Sequence, residues 1–381
     1  MSLRRRLFVA GSLLIAGGCQ ALAGLERVDD RPVAMEAGVD NDRGTAVVDP
    51  GTHCGTRPPR PPPSGGNDGL FPTYFFVLTT VSGLDEAGVP AGFDVDCIES
   101  RCDEPVVQRR GACAPPSDAG VPCDEPGGVD NQTSRVISKF GVIIKPPYDA
   151  LVKLGRRALV LAVAGYSGEP NDSEVIVSLF PAEGNFEAND CDSSDAAAAL
   201  EAGTLRPPLF NGCDRYSMNP AFVAANTLPK GVDGYVVDHH LVIDGNELAG
   251  TLAYGDLFFP VRARYLDATL KRGENGALDI ERGVMGGYVV PGEVMRGLGK
   301  ARIADSRPLC EEAAWEDFRA QFCRALDLPG EGASASSTEP CGAASFGVAL
   351  TGKGVRAGSE RPFVENGRCD NVDAAAFRCG L

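Results

Sequence analysis

The chain contains 381 residues, of which 47 are glycine and 28 are proline, and this composition favours turns and short strands over long helices. Coiled coils and collagen-like chains are therefore excluded. Because 36 lysines and arginines face 52 aspartates and glutamates, the formal net charge is -16, which excludes nucleic-acid binding driven by phosphate attraction.

The N-terminus has the layout of a secretory signal. Three arginines at residues 4–6 precede an uncharged stretch at residues 7–18, which is shorter than the roughly 20 residues of a membrane span. The sequence Leu-Ile-Ala-Gly-Gly-Cys at residues 14–19 resembles the lipobox of bacterial lipoproteins. The resemblance implies cleavage before Cys19 and lipidation of its thiol, and Gln20 implies sorting to the outer membrane. Simple cleavage with a soluble product is the alternative.

Three regions are predicted along the chain. Residues 1–18 form the lipoprotein signal peptide. Residues 19–69 carry the lipidated Cys19 and a flexible tether rich in proline and glycine, in which no apolar periodicity is sustained. Residues 70–381 form one disulfide-rich β domain. Cys54 lies inside the tether and is expected to staple it to the body or to pair with a cysteine there.

Several short segments have strand composition. Residues 74–81 are β-branched and aromatic, and in residues 158–164 both alternating sets are apolar, which predicts a central strand covered on both faces. The turn at residues 168–172 predicts a hairpin with the strand that follows. Residues 261–265 and 268–271 alternate between apolar and polar side chains. Many short strands between Gly, Pro, Asn and Asp turns predict a mainly β body, an antiparallel β-sandwich with a few short helices.

The best helix candidate spans residues 309–326. Trp315, Phe318, Phe322 and Leu326 recur there at spacings that place them in one apolar stripe. Residues 131–139 and 293–302 are shorter helix candidates, and residues 345–350 are predicted to return to a strand.

Cysteine usage indicates an oxidising compartment. Thirteen cysteines less Cys19 leave an even number, so disulfide bonds are expected and their connectivity is left open. The cysteine spacing lacks the two Cys-x₂-Cys pairs that bind the metal in a zinc ribbon. A continuous helix would hold Cys310 and Cys323 about 19 Å apart, so these two are not expected to pair with each other. The disulfide candidates are Cys54, Cys97, Cys102, Cys113, Cys123, Cys191, Cys213, Cys310, Cys323, Cys341, Cys369 and Cys379.

Carboxylates crowd the first group of cysteines and raise the question of calcium, the single cofactor that the sequence suggests. Oxygen ligands of this kind suit Ca²⁺ at the weak affinities of extracellular sites. The segment does not fit an EF-hand, because its loop would have glutamate at the sixth position, where glycine is needed. A solvated acidic loop without a metal is the alternative. The predicted calcium ligands are Asp94, Asp96, Asp124, Asp130 and Asn131.

No complete catalytic motif is present in the sequence. The segment at residues 347–354 has the glycines and lysine of a P-loop but lacks the Ser or Thr that holds Mg²⁺, and it has strand composition. An alternative function comes from Asp94, Asp96 and Glu99, since residues 93–99 resemble the acidic strand of β-sandwich glycoside hydrolases. That resemblance implies a secreted hydrolase acting on glycans.

Taken with the lipobox and the tether, short motifs at residues 92–96, 128–131, 165–172 and 283–287 resemble those of secreted, Cys-rich lipoproteins of myxobacteria. The resemblance supports an extracytoplasmic location and a β-rich body, and it implies no activity or functional residue. The sequence therefore predicts an outer-membrane lipoprotein with a non-enzymatic binding or envelope role. Its expected partners are the membrane, through the lipid anchor, and an extracytoplasmic ligand or protein of unknown identity.

Overall fold

A computed structural model gives the structure of the chain. It describes residues 55–63, 71–106, 109, 111–116, 120–140, 148–189, 191, 204–218, 220, 231–254, 257–273, 275–299, 308–311, 313–330, 338–361 and 379. The predicted signal peptide and three of the singled-out cysteines, Cys19, Cys54 and Cys369, lie outside these residues.

Strands dominate the described residues. They are β1 (Tyr74–Ser82), β2 (Ala158–Ala164), β3 (Asp172–Ala182), β4 (Arg215–Met218), β5 (Val232–Val237), β6 (His240–Tyr254), β7 (Leu257–Arg272), β8 (Leu278–Val289), β9 (Leu328–Pro329) and β10 (Cys341–Glu360). The α-helices are α1 (Gln132–Phe140), α2 (Tyr148–Lys153), α3 (Pro291–Gly299) and α4 (Ala314–Arg324). The prediction of a mainly β body with a few short helices is confirmed.

Eight of the strands close into an antiparallel barrel, so the prediction of a sandwich is corrected. The order is β1-β2-β3-β5-β6-β7-β8-β10, and β10 pairs back onto β1. Closure is possible because β10 is 20 residues long. One stretch of it, residues 344–352, pairs with β8, and an overlapping stretch, residues 349–355, pairs with β1. A closed barrel leaves no unpaired sheet edge.

The alternation of side chains along β2 separates the barrel interior from its outer surface. Leu159, Leu161 and Val163 belong to the main apolar core, whereas Val160 and Ala162 belong to a second cluster that includes residues of α2. The prediction that both faces of this strand are covered is confirmed. β2 and β3 pair antiparallel along their lengths, which confirms the predicted hairpin.

The helix predicted at residues 309–326 is shorter than expected. A single 3₁₀ turn at Leu309–Glu311 precedes α4, which spans Ala314–Arg324. The apolar stripe is confirmed, because Trp315, Phe318 and Phe322 are all buried in the main core. The other two candidates form α1 and α3, and α3 begins two residues before the predicted start.

Disulfide bonds cross-link the described part of the chain, as predicted. The described pairs are Cys102–Cys123, Cys113–Cys341, Cys191–Cys213 and Cys323–Cys379. Cys97 and Cys310 are disulfide-bonded as well. Because Cys323 pairs with Cys379, the prediction that Cys310 and Cys323 do not pair with each other is confirmed.

Part of the predicted tether belongs to the body. In residues 55–63, the Arg57 guanidinium lies 4.2 Å from the ring centroid of Tyr265 on β7, and Tyr235 on β5 donates a hydrogen bond to the Pro59 carbonyl. Pro58 is buried. Residues 55–63 of the predicted tether therefore pack against the barrel.

Candidate functional site

The Cys-rich segment, residues 91–130, covers the outer surface of the barrel where β8 and β10 pair. The structure describes it over residues 91–106, 109, 111–116 and 120–130. Gly286 of β8 pairs directly with Gly347 of β10. A Cβ on Gly347 would lie 2.0 Å from the Ala91 carbonyl oxygen, and one on Gly286 would lie 3.0 Å from the Phe93 ring. The two glycines thus allow the backbone of the Cys-rich segment to lie directly against the strands.

Five aspartates meet beneath this segment and form what we call the carboxylate cluster. Asp94, Asp124, Asp130 and Asp327 are all at least nine-tenths buried, and Asp96 is half-buried. One carboxylate oxygen from each of Asp94, Asp96 and Asp130 lies within 4.8 Å of the others. Four of the five come from the Cys-rich segment, and Asp327 comes from the chain between α4 and β9.

Backbone N–H groups position the carboxylates of the Cys-rich segment. The Val95 N–H donates to Asp130 at 2.6 Å, and the Cys97 N–H donates to Asp94 at 2.7 Å. The Gly55 N–H, from the packed part of the tether, also donates to Asp94. These donors fix the direction of each carboxylate without supplying a neutralising charge.

Asp327 is held by a different group, Ser345 on β10. The Ser345 N–H donates to one oxygen of Asp327 at 2.8 Å, and its hydroxyl donates to the other at 2.6 Å. The same hydroxyl accepts a hydrogen bond from the Gln132 N–H, at the first residue of α1. Ser345 therefore connects the cluster to both the barrel and α1.

Burial and mutual repulsion raise the pKa values in the cluster. Burial, followed by the neighbouring carboxylates, raises the pKa of Asp96 to about 7 and that of Asp124 to about 6. Burial also raises the pKa of Asp327 to about 7 and that of Asp130 well above its ordinary value, with the Asp327 charge as the next cause for Asp130. Protonation or a bound cation would therefore relieve the repulsion within the cluster.

Two nearby arginines offset the negative charge of the cluster only in part. Arg57 interacts electrostatically with Asp94 and Asp130. Arg135, which pairs with Glu125, acts to lower the pKa of Asp124, but burial still raises that pKa. By contrast, Asp279, which lies elsewhere on the barrel, is bound by Lys353 at 2.7 Å. The cluster is thus a buried concentration of acid, and Asp94, Asp96 and Asp130 are the residues that could hold a metal ion.

Asn131, one of the predicted calcium ligands, has a structural role. Its side-chain amide donates to the carbonyl oxygens of Ala91 at 2.6 Å and Gly347 at 2.9 Å. Its oxygen accepts from the Gly347 N–H at 3.0 Å and from the Ser134 N–H at 3.3 Å, so that it caps the N-terminus of α1. Asn131 ties the Cys-rich segment to β10, and its place among the calcium ligands stays a prediction.

The residues of the alternative glycan-hydrolase hypothesis are brought together only in part. Asp94 and Asp96 share the carboxylate cluster, whereas Glu99 is exposed. Residues 91–100 contain no strand, so the alternating strand geometry on which the hypothesis depends is not formed there.

Asp327 and Ser345 are the members of the site that sequence reasoning missed. Asp327 follows the apolar stripe of α4, and Ser345 lies within a segment predicted only as strand. Both are distant in sequence from the acidic residues of the Cys-rich segment, and no local pattern marks either of them. Only the packing of β10 against this segment brings them into the cluster.

Comparison of the chain with protein-family models, curated proteins and solved structures finds no match. The resemblance to myxobacterial lipoproteins and the lipid anchor on Cys19 therefore stay predictions. None of the helices in the described residues is long and apolar enough to cross a membrane.

Proposed function

We propose that this chain is an extracytoplasmic lipoprotein of the outer membrane, with a non-enzymatic binding or envelope role. The observation that carries the proposal is the set of disulfide bonds. Cys113 and Cys341 are 228 residues apart in sequence, and their bond joins the Cys-rich segment to β10. Such structural bonds form and persist in oxidising compartments and are rare in the cytosol. This supports the secretory interpretation of residues 1–18.

The arrangement of the acidic residues favours binding over catalysis. Acid and base catalysis on glycans needs two carboxyl groups across an open cleft, about 5–9.5 Å apart. Here Asp94 is buried and fixed by main-chain donors, and Glu99 is exposed. A rigid, buried set of carboxylates suits the holding of a proton or a cation.

Lipidation and sorting are tested by expressing the full chain with its own leader in a Gram-negative host. Mass spectrometry of the mature N-terminus is expected to show a chain that begins with acylated Cys19. A Cys19→Ser variant should fail to fractionate with membranes. A Gln20→Asp variant keeps the lipid and serves as the matched control, since it should shift the protein to the inner membrane.

Two results would refute the proposal. One is an unmodified Cys19 or retention of residues 1–18 on the protein recovered from membranes. The other is free thiols at Cys113 and Cys341 in that protein, measured by alkylation and peptide mapping without reductant.

A further inference from the structure

A cavity of about 160 Å³ opens beside the carboxylate cluster, on the outer surface of the barrel. Val95 and Leu328 give it apolar walls, and the Tyr288 ring forms an aromatic wall. Two charged side chains of opposite sign, Asp96 and Arg264, also line it. A small site with few polar groups on an apolar surface is the usual form of a ligand pocket.

Arg264 has the position of a ligand-binding residue. In the pairing of β7 with β8, Ala263 faces Gly287 and Tyr265 faces Gly286, so Arg264 is the extra residue of a β-bulge. Bulges of this kind redirect a side chain and occur frequently next to active sites. The Arg264 guanidinium lies 5.2 Å from the ring centroid of Tyr288, and no described residue accepts a hydrogen bond from it.

The neighbouring arginine on the same strand provides a contrast. Arg262 lies 3.1 Å from Glu293 on α3 and 3.5 Å from Glu247 on β6, so its charge is used within the fold. Tyr288 is fixed as well, because its hydroxyl hydrogen-bonds the Glu247 carboxylate at 2.7 Å. The cavity therefore combines a fixed aromatic wall with the Arg264 guanidinium, whose N–H groups donate no hydrogen bond to a described residue.

We propose that this cavity binds a small zwitterion, an α-amino acid of about the size of alanine. A guanidinium forms paired, charge-assisted hydrogen bonds with a carboxylate, and the Asp96 carboxylate would receive the ligand's ammonium group. A ligand with one charge would match only one of the two charged walls. A cavity of ~150 Å³ accommodates about six non-hydrogen atoms, as benzene shows, and alanine has the same number.

This inference rests on the proposed binding role, and it names the class of ligand. Titration calorimetry on the disulfide-intact mature chain tests it, with L-alanine, D-alanine, propionate and ethylamine as probes. At least one enantiomer of alanine is expected to bind with a Kd in about the micromolar-to-millimolar range. Propionate and ethylamine should each bind at least about tenfold more weakly, because each lacks one of the two charged contacts.

Variants locate the binding in this cavity. Arg264→Gln and Asp96→Asn should each weaken alanine binding at least about tenfold. Lys271→Gln is the matched control, since Lys271 lies on the same strand and pairs with Glu281 on the surface; it should leave the Kd unchanged. The urea midpoint of each variant reports whether it is folded. Two substitutions on different elements keep the test decisive if one of them prevents folding.

Three results would overturn the inference: no saturable heat for either enantiomer, propionate binding as tightly as alanine, or an unchanged Kd in a folded Arg264→Gln variant. The lipid at Cys19 is measured separately by mass spectrometry. Failure of the anchoring proposal and failure of this inference can therefore be distinguished.

Discussion

The carboxylate cluster predicts an unusual dependence of stability on pH. The pKa of Asp327 is raised from 3.8 to about 7 in the folded protein. A carboxyl group whose folded pKa is raised stabilises the fold while it is protonated. That contribution is fully present below pH 3.8 and is lost as the pH rises through about 7. The free energy of unfolding should therefore fall between pH 5 and pH 8 when no metal is present.

The size of the effect follows from linkage. One group with these two pKa values changes the free energy of unfolding by about 3 kcal/mol between pH 5 and pH 8. The members of the cluster interact, so they bind protons in successive steps that belong to the set. A change of this size is a large share of the roughly 5–15 kcal/mol that stabilises an ordinary domain.

Exposed carboxylates do not reverse the expected fall in the free energy of unfolding between pH 5 and pH 8. Hydrogen bonds from Arg101 and Lys271 lower the pKa values of Asp103 and Glu281, respectively, below their ordinary values. A group with a lowered pKa adds stability that is present above its unfolded pKa and is lost in more acidic solution. The contributions of Asp103 and Glu281 therefore change below pH 5, outside the measured range.

Urea unfolding of the disulfide-intact chain at pH 5, 6, 7 and 8, with EDTA present, measures the effect. Asp327→Asn should reduce the dependence on pH, because a neutral amide replaces one of the groups that titrate in this range. Asp103→Asn is the matched control and should leave the slope unchanged. A wild-type stability that is constant or rises from pH 5 to pH 8 would refute the reasoning.

Three further predictions concern the calcium site, the glycine pair and the buried tyrosines. At pH 8, calcium at tenfold its Kd should raise the free energy of unfolding by about 1.4 kcal/mol, with a smaller effect at pH 5; no effect at pH 8 would mean that the calcium prediction is wrong. Gly347→Ala should lower the free energy of unfolding by at least about 2 kcal/mol, since its Cβ would lie 2.0 Å from a carbonyl oxygen. Gly330→Ala should have a mild effect, because the nearest atom to its Cβ would lie at 3.7 Å. Tyr148→Phe should cost about 1–3 kcal/mol, because its hydroxyl donates to one buried backbone group and accepts from another. Tyr216→Phe should leave the free energy of unfolding nearly unchanged, since its buried hydroxyl has no partner among the described residues. Urea titrations that show equal losses of stability for Tyr148→Phe and Tyr216→Phe would contradict this account.

Local periodicity explains which elements the sequence could predict. The strand at residues 158–164 and the apolar stripe of α4 are visible because the positions of apolar side chains repeat at the spacing of the element itself. The closed barrel is not visible in this way, because alternation looks the same in a sandwich and in a barrel. The difference lies in β10, whose pairing with both β8 and β1 depends on contacts between distant parts of the chain.

In the candidate sites, too, the sequence reveals only the residues that lie close together along the chain. The sequence singles out Asp94, Asp96, Asp124 and Asp130 because they crowd one Cys-rich segment, but it gives no reason to include Asp327. The redirected side chain of Arg264 depends on a bulge, which is a property of the pairing between β7 and β8. Residues that join a site through strand register leave no local signal in a single sequence.

Burial of the carboxylate cluster is costly to the fold, which is an argument for its function. Buried like charges are destabilising, and the main-chain donors around Asp94 and Asp130 offset this only in part. Two covalent bonds, Cys102–Cys123 and Cys113–Cys341, hold the Cys-rich segment in place nonetheless. Groups with strongly raised pKa values beside a cavity are typical of binding and catalytic sites. We therefore expect the free energy lost in burying these acids to be recovered on binding of a proton, a cation or a ligand's ammonium group.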